Sequence, residues 1–180
     1  MHNHAAHDYP CPFCLLVQGI KNEHVESIYT DIVCQSDVVT AVVSSHQWPR
    51  NPGNVLIIPN QHYENIYDLP PHLAADIQEA AQVIAIAMKK VYDCDGVSTR
   101  QHNEPAGSQD VWHYHLHVTP RYHGDHFYET AATEKYLMPP VERAWYAQRL
   151  SSAGLIHYSY LPRDMFSPAY GLRMRNLQQL

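Results

Sequence analysis

The spacing of apolar residues along the chain predicts one long helix placed between groups of strands. From about Pro70 to Tyr92, apolar side chains recur at steps of three and four residues, which puts them on one face of a helix. They are Leu73, Ile77, Ala80, Ala81, Ile84 and Met88. We expect this stripe to face a core.

Shorter segments on either side of this helix have the composition of strands. IYTDIVCQSDVVTAVV, residues 28–43, predicts two strands around a polar turn. VLIIP, which ends at Pro59, is a short apolar run typical of a buried strand. VSTRQHN and VWHYHLHVTPR predict two further strands, separated by the loop EPAGSQ. We therefore expect an α+β domain with an antiparallel sheet of about five strands, one long helix and one or two short helices.

The character of the chain changes after about residue 128. VERAWYAQRL predicts a short helix, and the remaining segment, HYSYLPRDMFSPAYGLRMRNLQQL, is aromatic with scattered proline and glycine. We expect a domain over residues 1–128 and a C-terminal extension over residues 129–180. The aromatic content indicates that the extension packs on the domain or on a dimer partner.

Length, charge and cysteine content exclude several classes of protein. The 180 residues suffice for one domain with an extension. A formal net charge of −6 argues against binding a nucleic-acid polymer, which takes a basic surface. No apolar run approaches the roughly 18 residues of a membrane span, and MHNHAAHDYP lacks the pattern of a secretory signal. We therefore expect a cytoplasmic protein that does not contact a membrane.

Three histidines alternate with other residues in HYHLHV, residues 113–118. Because alternate side chains of a strand share one face, about 6.6 Å apart, we expect His113, His115 and His117 to face a cleft or solvent. The intervening side chains would then pack on the long helix. The residues alone leave three interpretations open: metal ligands, catalysis by imidazole, or a solvated strand face without chemistry.

Catalysis is the interpretation that the alternation favours. A solvated face would more simply use Thr, Lys or Glu, and a third histidine on a straight strand must bend back to reach a shared metal ion. A neutral imidazole in the correct tautomer is a nucleophile. Its natural electrophile is phosphorus, and neighbouring histidines can donate to phosphate oxygens and protonate a leaving group.

HYHLHVTPR resembles the signature of the histidine triad (HIT) family, in which three histidines alternate with apolar residues. CPFC, NPGNVLIIPNQHYENIYDLP and NEPAGSQDVW extend the resemblance, in the expected order, over roughly residues 9–128. The resemblance implies a HIT-like fold, a homodimer, and a cleft that binds a purine nucleotide containing AMP. It also implies cleavage at the α-phosphorus through a covalent nucleotidyl-histidine.

The resemblance also assigns roles to individual catalytic residues. His115 is the expected nucleophile, His117 is expected to contact the α-phosphate or the bridging atom, and His113 is expected to orient the nucleophile. Gln109 stands where the family has a glutamine near the leaving group. Asn103 is the expected phosphate or ribose contact, within one residue of register.

Two positions depart from the family pattern. Asn54 stands where many relatives have a histidine that supports the triad, and we expect its amide to replace part of that function next to the substrate. Asp110 stands where relatives usually have Ser or Thr, and a carboxylate is repulsive beside a phosphate. Ser108 is therefore expected to supply the hydroxyl contact, unless Asp110 turns away or the substrate carries its charge differently.

Two cysteines near the N-terminus, in CPFC, indicate metal or redox chemistry in a reducing compartment, although two buried thiols are the simpler alternative. HIT proteins with such a cysteine pair bind a structural Zn²⁺, so the resemblance implies one here. Its expected ligands are Cys11, Cys14, His62 and His113. Two Cys and two His form a closed tetrahedral site, which is the structural arrangement.

The expected function is therefore a nucleotide hydrolase or transferase of the HIT type. Its two candidate substrates are nucleoside phosphoramidates and dinucleoside polyphosphates, and the sequence does not decide between them. One alternative is a zinc hydrolase that uses the triad as metal ligands. Another is a non-catalytic, nucleotide-binding regulatory dimer.

Overall fold

The computed structural model describes residues 2–21 and 23–153. Five strands form one sheet: β1 Ile32–Gln35, β2 Val39–Val43, β4 Val55–Pro59, β5 Gly96–Gln101 and β6 Leu116–Arg121. Their order in the sheet is β1-β2-β4-β6-β5, and all neighbouring strands are antiparallel. A separate pair joins β3 His46–Gln47 to β7 Tyr136–Leu137. The predicted α+β fold with a five-stranded antiparallel sheet is confirmed.

Within the described residues, four α-helices accompany the sheet: α1 Pro12–Val17, α2 Pro71–Val91, α3 Phe127–Thr130 and α4 Pro140–Ser151. α2 is the predicted long helix. Its buried residues are Leu73, Ile77, Ala80, Ala81, Ile84, Ala87 and Met88. The apolar stripe of the sequence is therefore the face that α2 turns toward the sheet.

The sheet is covered on both faces. On one face, alternate residues such as Ile57 and Leu116 pack with α2 and α4 in the main core. On the other face, Leu56 and Ile58 pack with Phe13 of α1 in a second, smaller core. β4 is therefore buried on both faces, which explains why VLIIP is a continuous apolar run.

The strand that carries the triad is shorter than expected. We predicted a strand over residues 111–121, but β6 begins only at Leu116. Its neighbour β4 ends at Pro59, and the last paired residues are Ile57 and Leu116. Beyond that point the backbone N–H of Tyr114 donates to the carbonyl of Tyr63, 2.6 Å away, in the loop after β4. Only His117 of the triad lies within the strand.

Part of the segment after residue 128 packs in the main core. Ala147 and Leu150 of α4 belong to the main core. Arg143 of the same helix forms a buried ion pair with Asp31, with 2.9 Å between Nε and Oδ2. The expected boundary at residue 128 stays a prediction, and residues 154–180 of the expected extension lie outside the described residues. In the part of the chain that the structure describes, no helix has the length and hydropathy of a membrane span.

Candidate active site and metal centre

An open cleft of about 850 Å³ lies along the edge of the triad. His115 and His117 line it at the start of β6, and Arg100 and His102 line it at the end of the neighbouring β5 and directly after it. The opposite walls come from the segment before β1 and from the segment after α3. The triad therefore faces a space large enough for a nucleotide.

His115 is held in a defined tautomer. Its Nδ1 lies 2.8 Å from the carbonyl oxygen of His113, and since a carbonyl can only accept, Nδ1 carries the proton. The Nε2 atom of a neutral ring then keeps its lone pair. His115 is only 3% exposed, and burial lowers the pKa of its imidazole. A neutral ring with a free lone pair is the form that a nucleophile requires.

His117 has the opposite tautomer. The side-chain hydroxyl of Thr119 donates to Oδ1 of Asn54 at 2.8 Å, so the Asn54 amide turns its NH₂ group toward Nδ1 of His117, 3.4 Å away. The Nδ1 atom of His117 therefore accepts, and Nε2 carries the proton. Burial lowers the pKa of His117 well below 6.5. The ring is a neutral donor next to His115, with 5.1 Å between the two ring centroids.

His113 belongs to a different site. It is fully buried, and its Nε2 donates to the carbonyl of Pro59 at 2.9 Å. This bond leaves the lone pair of Nδ1 facing α1. There, Nδ1 lies 3.2 Å from Sγ of Cys11 and 3.5 Å from Sγ of Cys14.

These three residues and His62 form one cluster. The two cysteines stand at the start of α1, where a spacing of three residues places both thiols on the same side of the helix. His62 follows β4, and its Nδ1 lies 3.4 Å from Sγ of Cys14. The four ligand atoms all lie within 4.8 Å of one another. The sequence analysis named the same four residues.

The cluster fits a zinc ion in its geometry and its donor chemistry. In a tetrahedral zinc site, sulfur and nitrogen ligand atoms lie about 3.5 Å apart, which matches the distances from Sγ to Nδ1 of 3.2 to 3.5 Å. The hydrogen bond between the two thiols lowers the pKa of Cys11 and raises that of Cys14, so the pair readily forms its first thiolate. Among the described residues, His115 and His117 belong to no such group of metal-capable side chains.

The residues predicted to bind substrate do not all lie in the cleft. Ser108 lines it, in the left-handed backbone region with φ of 67°. Asn54 is fully buried behind His117 and contacts that histidine instead. Both Gln109 and Asn103 turn away from the cleft toward the backbone. The Gln109 side chain donates to the carbonyls of Glu64 and Val111, and the Asn103 amide oxygen accepts from the N–H of Ile66.

Asp110 has not turned away from the triad. Its Oδ1 lies 3.8 Å from Nε2 of His115, and its Oδ2 lies 3.4 Å from Nζ of Lys135. The carboxylate is 63% exposed, so solvent screens its charge. Lys135, from the segment after α3, offsets the negative charge beside the nucleophile.

The sequence analysis missed most of the residues that line the cleft, among them Arg100, His102, Tyr128 and Lys135. Pairing between β5 and β6 brings the first two to the triad, since Arg100 stands directly opposite His117. The alternation in VSTRQHN puts Arg100 and His102 on one strand face, which was the available signal. Tyr128 and Lys135 come from the segment beyond residue 124, and no periodic signal places that segment at the cleft.

Sequence comparison now identifies the class of protein. The family model of the HIT domain matches residues 25–124, more than half of the chain. The chain belongs to the HIT family, and its triad is the histidine signature of that family.

Three relatives show how far the likeness extends. "Protein hit" of Bacillus subtilis is 32% identical over 118 residues, which cover 65% of this chain and 75% of the relative. The adenylylsulfatase HINT3 of Arabidopsis thaliana is 25% identical over 154 residues, 86% of this chain and 72% of HINT3. A crystal structure of a zinc-bound histidine triad family protein from Mycobacterium smegmatis has a TM-score of 0.64 at 26% identity, and it covers 82% of this chain and 94% of its own.

Proposed function

We propose that the chain is a nucleotide hydrolase or transferase that cleaves at the α-phosphate through a covalent nucleotidyl-histidine on His115. The proposed substrates are nucleoside phosphoramidates and dinucleoside polyphosphates. The observation that carries the proposal is the pair of opposite tautomers in the cleft. One buried, neutral imidazole offers a lone pair at Nε2 of His115, and the next offers a proton at Nε2 of His117.

His115 and His117 have different roles in the first step. Nε2 of His115 attacks the α-phosphorus in line with the leaving group, and a P–N bond forms as the bond to the leaving group breaks. The Nε2–H of His117 donates to the bridging atom or to an α-phosphate oxygen, where negative charge develops. The carbonyl of His113 keeps the nucleophile in its tautomer and stabilises the positive charge that the ring acquires.

The second step releases the nucleotide. Water attacks the phosphorus from the side that the leaving group has vacated, the P–N bond breaks, and the electron pair returns to Nε2 of His115. The exposed Asp110 lines the cleft and can accept the proton of the water. Transfer to another nucleophile follows the same course, with an alcohol or amine in place of water.

We further propose that Cys11, Cys14, His62 and His113 hold a structural zinc ion. When it is bound, the ion supplies a rigid link between α1 and the start of the triad. His113 then fixes its carbonyl for His115 and takes no part in proton transfer. The zinc-bound relative from Mycobacterium smegmatis and the cluster geometry support this assignment.

An adenine nucleotide is the first substrate to test, since HINT3 is an adenylylsulfatase. We also propose a homodimer in the cytoplasm, and sedimentation of the purified protein tests the oligomeric state. Asn54 supports His117 in this mechanism, and Ser108 is the proposed hydroxyl contact for phosphate. Gln109 and Asn103 hold the loop before the triad, and contact with substrate would require them to move.

The test is release of AMP from adenosine 5′-phosphoramidate, comparing the intact protein with His115→Ala at matched zinc content. We expect a loss of about a thousandfold, roughly 4 kcal/mol of barrier. His72→Ala is the matched control, because His72 is an exposed histidine of α2 outside the cleft.

Equal turnover by the intact protein and His115→Ala would refute the mechanism. If the intact protein does not turn over the phosphoramidate, a dinucleoside polyphosphate is the next substrate to assay. If that is not cleaved either, nucleotide binding without turnover would establish the regulatory alternative. Loss of activity on chelation with unchanged stability would support the zinc hydrolase instead.

A further inference from the structure

Among the described residues, Arg100 is a partly buried cation without an anionic partner. Arg50, Arg121 and Arg143 each pair with a carboxylate at 2.7 to 2.9 Å. Across residues 2–21 and 23–153, no carboxylate lies within ion-pair distance of Arg100, and its buried Nε has no hydrogen-bond partner there. A buried charge without a partner costs free energy, so its place in the cleft calls for an explanation.

Aromatic rings hold the Arg100 guanidinium in place. Its central carbon lies 4.6 Å from the ring centroid of Phe127 and 5.7 Å from that of Trp48. Phe127 is 1% exposed, and Trp48 is fixed by a hydrogen bond from Nε1 to the carbonyl of Ala131 at 2.8 Å. Stacking on rings orients a guanidinium while leaving its N–H groups free to donate in the plane.

The position of Arg100 relates it to the reacting atoms. Arg100 stands directly opposite His117 across the β5–β6 ladder, so the two side chains share the cleft face. Both line the cleft, together with Tyr128 and Lys135. His117 is the proposed donor to the bridging atom, so its cross-strand neighbour Arg100 is within the part of the cleft where we expect the leaving group.

We propose that Arg100 binds an anionic leaving group, a phosphate or sulfate joined to the α-phosphorus, and so selects substrates that carry one. This inference rests on the proposed function and narrows its substrate class. The planar guanidinium matches the oxygens of a tetrahedral anion and can bind two of them at once. A neutral amine leaving group offers nothing for this cation to bind.

The role of Arg100 grows during the reaction. As Nε2 of His115 forms the P–N bond, the bond from phosphorus to the bridging oxygen breaks and its electron pair stays on that oxygen. The departing phosphate or sulfate therefore gains negative charge, which Arg100 stabilises without transferring a proton. An amine leaving group instead takes up a proton from a water molecule in the open cleft and departs as a neutral amine, so Arg100 contributes nothing to that reaction.

The test compares Arg100→Gln with the intact protein on three adenylyl substrates. Adenylyl sulfate and diadenosine triphosphate carry sulfate and phosphate leaving groups, and adenosine 5′-phosphoramidate carries an amine. We expect kcat/KM to fall about 10- to 100-fold for one or both of the anionic substrates and to change less than about threefold for the phosphoramidate. The substrate that loses more identifies sulfate or phosphate as the preferred group.

Two variants control for a merely structural effect. Arg100→Lys keeps the charge and should recover part of the lost rate. Arg149→Gln removes another arginine that stacks on a ring, 4.7 Å from the ring centroid of Trp145 on α4, outside the cleft, and should leave all three rates unchanged. Equal losses on all three substrates in Arg100→Gln would overturn the inference and leave the proposed function intact.

A binding measurement separates this inference from the proposed function. Calorimetric titration with inorganic pyrophosphate and with sulfate needs no turnover. If the intact protein cleaves none of the substrates but binds either anion and Arg100→Gln does not, the anion site stands and the hydrolase proposal fails. If the intact protein binds neither anion and shows no preference for anionic leaving groups, the inference is wrong.

Discussion

Removal of the buried charge of Asp125 should lower the stability of the fold, because this carboxylate accepts hydrogen bonds from several separate segments. It accepts two hydrogen bonds from Arg121, at 2.7 and 2.8 Å, and one from Asn51 at 2.7 Å. The backbone N–H groups of Tyr122 and Phe127 add two more at 3.0 Å. Asp125 thereby joins the end of β6 to the loop before β4 and to the start of the segment that forms one wall of the cleft.

The expected cost of Asp125→Asn follows from these contacts. Hydrogen bonds to a charged group are worth about 1.5–3 kcal/mol, against about 1 kcal/mol for neutral pairs. Asparagine removes the charge from the pair with Arg121 and turns an NH₂ group toward donors. Because the Asp125 side chain is only 4% exposed, water cannot replace what is lost. We expect unfolding to become easier by about 3–4 kcal/mol near neutral pH.

The same contacts determine the pH dependence. The hydrogen bonds from Arg121 hold the pKa of Asp125 well below its usual 3.8. A lowered carboxyl pKa gives stability that is present above the pKa of the unfolded chain and is lost as the pH falls toward the folded pKa. The difference between Asp125→Asn and the intact protein should therefore narrow as the pH falls below about 4.

Urea unfolding over a pH series measures both effects. The matched control is Glu134→Gln, because Arg50 also pairs with both oxygens of Glu134 at 2.8 and 3.0 Å, but both side chains are about 40% exposed. Removal of this exposed pair should cost less than about 1 kcal/mol. An equal cost for the two variants, or a cost for Asp125→Asn that does not change with pH, would refute the reasoning.

Three further predictions concern the surroundings of the triad. Gly53→Ala should cost about 2–4 kcal/mol in urea unfolding, because φ is +92° and a Cβ would lie 2.7 Å from the Tyr92 ring; a cost below about 1 kcal/mol would contradict this. Asn54→Asp should raise the pKa of His117 followed by NMR, since a carboxylate beside Nδ1 favours the charged ring; an unchanged titration would contradict the assigned contact. Chelation, or Cys14→Ser, should lower Tm by about 10 °C, and an unchanged Tm would argue against a structural zinc ion.

The periodicity of apolar residues predicted the helices and strands that pack against the core along their whole length. The stripe from Leu73 to Met88 predicted α2 because one helix face meets the sheet along its whole length. VLIIP predicted a buried strand because β4 is covered on both faces. Alternation also predicted that the triad histidines turn away from the α2 side of the sheet.

The contacts that the sequence did not reveal join distant segments through single hydrogen bonds. Gln109 donates to the carbonyl of Glu64, 45 residues away along the chain, and no local pattern distinguishes this bond from a contact with substrate. The end of the triad strand depends on where β4 turns away after Pro59. Arg100 acquires its environment from Trp48 in the loop after β3 and from Phe127 at the start of α3.

The stereochemical course at the α-phosphorus tests the central claim most directly. Each in-line displacement inverts the configuration at phosphorus, so attack by His115 followed by attack by water gives two inversions. We predict net retention when a substrate made chiral at the α-phosphorus with sulfur and oxygen isotopes is hydrolysed in labelled water. Net inversion would show that water attacks the substrate directly, and it would contradict a covalent nucleotidyl-histidine.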